Sequence, residues 1–233
     1  MQNLNFKELA KSINIELTDS MINQFETYYS FLVEYNSKTN LTSITEKSDI
    51  YIKHFLDSLL GLSLINQNAK ICDIGTGAGF PGVPIKIARP DINLVLVDSL
   101  NKRVEFLKEL VIQLNLDKIE VIHARAEDFA KNNRESFDYA VARAVAPLNT
   151  LSEYCLPVVR LGGEFIAYKA DNIEEELNSS KNAIKILGGN INKTVKIMLP
   201  GTDIIRNFVI IKKTHSAPSK YPRSGNKPRT QPL

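Results

Sequence analysis

A chain of 233 residues with 43% hydrophobic content can build one sizeable domain with a short appendage. No run approaches the roughly 18 apolar residues of a membrane span, and MQNLNFKELAKSI lacks the basic-then-apolar layout of a secretory signal, so a cytoplasmic protein without a membrane partner is expected. The net charge of +3 rests on six cations after residue 211 (Lys212, Lys213, Lys220, Arg223, Lys227 and Arg229) that no acid accompanies, which leaves the rest of the chain net acidic.

Residues 1–66 carry helical periodicity. Met21, Phe25, Tyr28, Tyr29 and Leu32 recur at three- and four-residue steps, as do Ile52, Phe55, Leu56, Leu59 and Leu60, which predicts a small helical cap. Between these helices YNSKTNLTSITEKSD is rich in Asn, Ser and Thr, whose side chains compete for backbone hydrogen bonds, and it reads as an ordered polar loop. From residue 70 the rhythm changes to short apolar runs. KICDI, NLVLVD, KIEVIHA and FDYAVA are predicted strands, with helices over 81–89, 101–115 and 147–160 between them. Alternation of this kind implies a parallel sheet covered on both faces. GGEFIAYK continues the series, and NKTVKIMLP and RNFVIIKK follow, joined by a few residues that include Pro200 and Gly201. That link is too short for a crossover, so the last two strands must pair antiparallel. Residues 67–213 thus form one α/β domain. Residues 214–233 hold four of the ten prolines and almost no aliphatic side chains, which predicts an extended, mobile arm: either a basic arm for phosphate backbones or a solubilising terminus. Cys72 and Cys155 lie in apolar segments without metal or redox spacing and read as buried small hydrophobes.

KICDIGTGAGFPG, residues 70–82, places Gly75, Gly77 and Gly79 directly after the first strand. In such sheets ligands bind beyond the carboxyl ends of the strands, and Gly75 and Gly77 allow a tight turn and close backbone approach. At the end of the second strand Asp98 stands where a carboxylate accepts hydrogen bonds from both hydroxyls of a ribose, so the pair indicates adenosine or a similar nucleoside. A dinucleotide fingerprint would put its third glycine at position 80, which is Phe80. Asp73 before the loop would repel a phosphate, and Pro81 and Pro84 remove N–H donors a phosphate would use. An acid there suits a positively charged ligand. S-adenosyl-L-methionine carries a sulfonium, an ammonium, a ribose and an adenine, and no phosphate.

YNSKTNLTSI (35–44), HFLDS (54–58), DIGTGAGFPGVP (73–84), LVDSLNKRVEFL (96–107) and ARAVAPL (142–148) resemble, in order, the motifs of the bacterial small-subunit ribosomal RNA methyltransferase G family, also called glucose-inhibited division protein B. The basic ending KYPRSGNKP is similar to the tails of Gram-positive members. The resemblance implies a Rossmann-like class I methyltransferase with a seven-stranded, mostly parallel sheet, one antiparallel strand and an N-terminal helical extension; a monomer is expected, although the sequence does not fix the oligomeric state. It also implies methyl transfer from S-adenosylmethionine to N7 of a guanosine in 16S ribosomal RNA, guanosine 527 in that RNA's numbering, within naked RNA or the small ribosomal subunit. Carried over by motif, the cofactor contacts are Gly75, Phe80, Ala126, Glu127 and Arg143, beside Asp73, Gly77 and Asp98 from the loop reading. Ala126 leaves room for a flat adenine, Glu127 or Asp128 can read its edge, and Phe80 can cover an apolar part of the ligand. Arg143 could bind the methionine carboxylate or a substrate phosphate, or form a structural salt bridge.

Guanine N7 is a lone-pair acceptor without a proton, so no residue is required as a general base. His123 ends a predicted strand and His54 is expected to face out of the cap. Asn40, His54 and Asp57 are expected to shape the pocket or the RNA entrance, and Lys102 and Arg103 either touch RNA or form a solvated helix face. Two further readings stay open on the residues alone: an enzyme acting on another RNA or a small molecule, and a non-catalytic RNA-binding factor.

Overall fold

The computed structural model describes residues 2–233. Seven strands form one sheet in the order β3-β2-β1-β4-β5-β7-β6: β1 (Lys70–Ile74), β2 (Asn93–Asp98), β3 (Ile119–His123), β4 (Phe137–Arg143), β5 (Val159–Lys169), β6 (Gly189–Met198) and β7 (Ile205–Lys213). The first five run parallel to one another, whereas β7 runs antiparallel to both β5 and β6. This is the seven-stranded, mostly parallel Rossmann-like layout the alternating pattern implies, with one reversed strand set by the short link after Met198. Order reverses between β1 and β4, which opens a crevice beyond their carboxyl ends.

Helices cover both faces. On one lie α1 (Gln2–Ser12), α2 (Asp19–Thr39), α5 (Gly82–Ala88), α6 (Asn101–Gln113) and the cap segment of α3 (Lys47–Asp49), a π-helix (Ile50–Leu56) and α4 (Asp57–Leu59). Phe25, Tyr28 and Phe55 of the cap, Ile71 and Leu94 of the sheet and Phe106 of α6 belong to one buried cluster, so the cap shares its core with the sheet. Each such ring contributes roughly 1.5–3 kcal/mol by burial. On the other face lie α7 (Ala126–Asn132), α8 (Leu148–Cys155) and α9 (Glu174–Ile186), packed on Cys72, Ile74, Val97 and Ala142. Alternate residues of β1 therefore serve opposite cores, and Asp73 faces the cap side.

The structure departs from expectation in three places. The helix expected over 147–160 ends at Cys155, because Pro157 follows and β5 begins at Val159. Helices α7 and α9 went unremarked in the sequence: α9 hides its apolar stripe among Glu, Asn and Ser. The C-terminal segment is not an extended free arm. Ala217 and Tyr221 are buried, Tyr221 within the α8 face, and a short α10 (Lys227–Thr230) follows. An aromatic ring and buried carbonyl contacts give this segment the packing that a count of aliphatic residues does not register. Both cysteines are buried and free, and no helix among the described residues is long and apolar enough to cross a membrane.

Candidate active site

The glycine loop after β1 turns over the carboxyl edge of the sheet, with positive φ at Gly75 (73°), Gly77 (63°) and Gly79 (101°). A Cβ at Gly75 would lie 2.7 Å from a Val145 methyl, whereas one at Gly77 would face open space. Five of the loop's amides already have acceptors within the protein. Gly75 and Thr76 donate to the Val97 carbonyl at 2.9 and 3.1 Å, Gly79 and Phe80 to the Thr76 carbonyl at 3.0 and 2.9 Å, and Gly77 to Asp98 Oδ2 at 2.9 Å. A phosphate-binding loop needs free N–H groups pointing at the ligand, and these five are spent.

Asp73 organises the loop from beneath. Its Oδ2 accepts from the Thr76 hydroxyl at 2.7 Å and from the Gly82 amide at 2.8 Å, while its Oδ1 is buried without a hydrogen-bond partner. Burial pushes its carboxyl up to about 6, against the lowering pull of these two hydrogen bonds and of Arg143. Asp98 ties the loop to α6: beside the Gly77 amide it accepts from the Leu100 amide at 2.9 Å, and Arg103 approaches it at 3.4 Å. A carboxylate has acceptor sites beyond these, so Asp98 can still receive hydroxyl donors.

Beyond the ends of β1, β2 and β3 lies a cavity of about 550 Å³, in the range of small-molecule sites. Its walls are as polar as they are apolar: Ile74, Val97, Leu100, Ala124 and Val145 stand beside two buried carboxylates, Asp98 and Glu127, and three cations, Arg103, Arg125 and Arg229. Gly75, Asp98, Ala126 and Glu127 all line it. Phe80, Arg143, Asp73 and Gly77 do not, and three of them stand on the cap side of the loop.

There Phe80 is sandwiched, with Tyr28 stacked at 5.5 Å and His54 at 4.5 Å between ring centroids. The Arg143 guanidinium lies 5.1 Å from the centre of the same ring and donates to Asp57 Oδ2 at 2.9 Å, while Arg206 donates to Asp57 Oδ1 at 2.7 Å. Arg143 thus realises its salt-bridge alternative while its cation lies within reach of the Phe80 ring. The π-helix sets up this cluster: the Asp57 amide reaches the Ile52 carbonyl five residues back, and such bulges recur at functional sites. His54 does not face outward as expected, because the widened turn rolls it onto Phe80. Burial first, and the Arg143 cation second, push its imidazole down to about 4. His123 is exposed and meets the Ser99 carbonyl at 3.1 Å. Lys102 is taken up by the Thr39 carbonyl, and Asn40 ends α2 in the left-handed conformation that Asn tolerates.

Sequence reasoning missed Val145, Tyr154, Asn226 and Arg229 as cavity-lining residues. Val145 precedes the expected helix over 147–160 and Tyr154 lies within it, neither with a chemical signal, and the last two lie in the segment read as a free arm. A phosphate-free nucleoside with a cationic sulfur fits these walls: apolar faces for adenine, carboxylates for hydroxyls and ring edges, and a buried acid behind the loop.

The rRNA small subunit methyltransferase G family model matches residues 21–205. The chain belongs to this family. Proteins named ribosomal RNA small subunit methyltransferase G are 49% identical to it in Alkaliphilus oremlandii, over 97% of each chain, and 48% identical in Staphylococcus aureus, over 97% of this chain and 96% of that one. Among solved structures, M. jannaschii TYW2 in complex with AdoMet superposes with a TM-score of 0.58 at 11% identity, covering 73% of this chain and 79% of that one. TrmN from Thermus thermophilus gives 0.52 at 14% identity, covering 70% and 53%. At such identities these two speak for the fold alone. The motifs that carry this methyltransferase G chain's resemblance, from HFLDS to ARAVAPL, meet at the carboxyl edge of the sheet.

Proposed function

We propose that the protein transfers a methyl group from S-adenosylmethionine to N7 of a guanosine in 16S ribosomal RNA. The observation that carries this is a nucleoside-sized cavity beside a glycine loop with five amides already bonded, in a chain of the methyltransferase G family. S-adenosylmethionine, when bound, supplies an electrophilic methyl on a sulfonium sulfur. On this reading Asp98 and the backbone at Gly75 hold the ribose side, Ala126 and Glu127 the adenine, and the buried Asp73 charge favours a cation at the loop. Arg143, Phe80 and His54 form the cap-side wall that orients the incoming guanine.

Guanine N7 offers a lone pair and no proton, so the residues here need to position and to exclude water. In-line approach at about 3–3.5 Å is worth several orders of magnitude in rate. His54, with its imidazole held near 4, is neutral at physiological pH and too weak a base to matter at the reacting nitrogen. The test is incubation with methyl-labelled cofactor and small-subunit RNA or particles from cells lacking the protein, followed by chemical cleavage at N7-methylguanosine. One new cleavage in 16S RNA supports the reading. Label that enters small molecules or the large-subunit RNA instead overturns it.

A further inference from the structure

The C-terminal segment is fastened to the cavity's own wall. Arg134 donates to the carbonyls of Ala217 and Tyr221, which brings the chain onto the β4–α8 side of the molecule. Arg223 then forks onto Glu153 of α8: its amide and Nε reach Oε1 at 2.7 and 2.9 Å, and a terminal nitrogen reaches Oε2 at 2.6 Å. Glu153 is fully buried, so this is a paired interior charge and not a surface contact. Lys131 holds Ser224 at 2.6 Å, and the Thr150 hydroxyl donates to the carbonyl of buried Pro228 at 2.9 Å. These fasteners deliver Asn226 and Arg229 to the cavity that Tyr154, Asp98 and Leu100 also line. The Arg229 guanidinium and the Asn226 amide make no hydrogen bond or ion pair among the described residues, so both are free to serve a ligand.

We propose that the docked C-terminal segment is the outer wall of the adenosine pocket, with Asn226 and Arg229 contacting the cofactor's adenine end and the Arg223–Glu153 pair as the clamp that positions them. The inference deepens the methyltransferase reading and rests on it. An amide can read the edge of adenine, and a planar guanidinium can lie over its face. The basic tail thus has a task in cofactor binding that its charge alone, with its bias toward phosphate, does not suggest.

The test compares the unaltered protein with the Asn226→Ala/Arg229→Ala double variant, with Arg223→Ala and Arg223→Lys, and with a chain lacking residues 217–233. Affinity for S-adenosylhomocysteine is read by calorimetry, affinity for 16S RNA by filter binding at two salt concentrations, and thermal midpoint alongside. The double variant, which removes no hydrogen bond or ion pair among the described residues, should keep its thermal midpoint and its RNA affinity but bind S-adenosylhomocysteine about tenfold more weakly. Arg223→Ala should lose at least as much, with partial recovery in Arg223→Lys, and S-adenosylhomocysteine should slow tryptic cleavage at Arg229 in the unaltered protein. Unchanged affinity for S-adenosylhomocysteine in the double variant overturns the inference even if the truncated chain does not fold. Loss of RNA affinity alone overturns it in favour of an RNA-binding arm. If the unaltered protein binds no S-adenosylhomocysteine, the cofactor reading itself has failed, a result distinct from either of these.

Discussion

Asp73 is a buried acid with one oxygen left unpaired, an arrangement that costs the fold and serves the site. Its carboxyl, raised from an unfolded value of 3.8 to about 6, contributes stability that is complete below the unfolded value and lost as pH rises through 6. At neutral pH the buried charge costs on the order of 3 kcal/mol. His54 acts in the opposite sense: depressed from 6.5 to about 4, it contributes stability present above the unfolded value and lost as pH falls toward 4. Comparing Asp73→Asn with the unaltered protein cancels the histidine. The Asn variant should resist urea better at about pH 7.5, with the advantage shrinking toward about pH 5. It should also lose more affinity for S-adenosylmethionine than for its uncharged thioether product. A gain in stability that does not vary with pH would contradict the buried-charge account. Asp73 and Asp98 stood out in the sequence as candidates because each is an acid at the carboxyl end of an apolar strand, Asp73 just ahead of the glycines. The pairing of Asp57 with Arg143 did not, since the two lie 86 positions apart and neither breaks a local pattern.

At the scale of elements, the glycine loop and the π-helix share one job, which is to bring backbone to the sheet edge at fixed angles. Gly75 and Gly77 both adopt the left-handed region, at a cost of about 1–2 kcal/mol to any L side chain. At Gly75 an added methyl must also displace Val145, whereas at Gly77 it meets nothing. Urea midpoints should therefore fall in the order unaltered, Gly77→Ala, Gly75→Ala, and equal losses would show that Val145 yields without cost. Strand and helix alternation was legible because apolar period and length distinguish the two, and the antiparallel pair because its link is short. The π-turn was not: HFLDS keeps a three- and four-residue apolar rhythm, and a five-residue hydrogen bond leaves no trace in that rhythm.

At the scale of the molecule, the two chain ends converge on one edge of the sheet from opposite faces. The cap brings Tyr28, His54 and Asp57 to the Phe80–Arg143 side, and the tail brings Asn226 and Arg229 to the cavity side. The glycine loop rides between them. Composition read the tail as mobile because its anchoring, through Arg223 and a glutamate 70 positions earlier, is a tertiary fact with no local signature. The proposed division of labour across the loop, adenosine on one side and guanine on the other, would make the protein a positioning device with no proton acceptor. Single-turnover methyl transfer to 16S RNA at saturating cofactor, followed against pH, tests that most directly. The rate should be flat from about pH 6.5 to about pH 8.5 and insensitive in shape to His54→Ala. A tenfold rise per pH unit across that window, abolished in one side-chain variant, would show an essential general base and contradict the account.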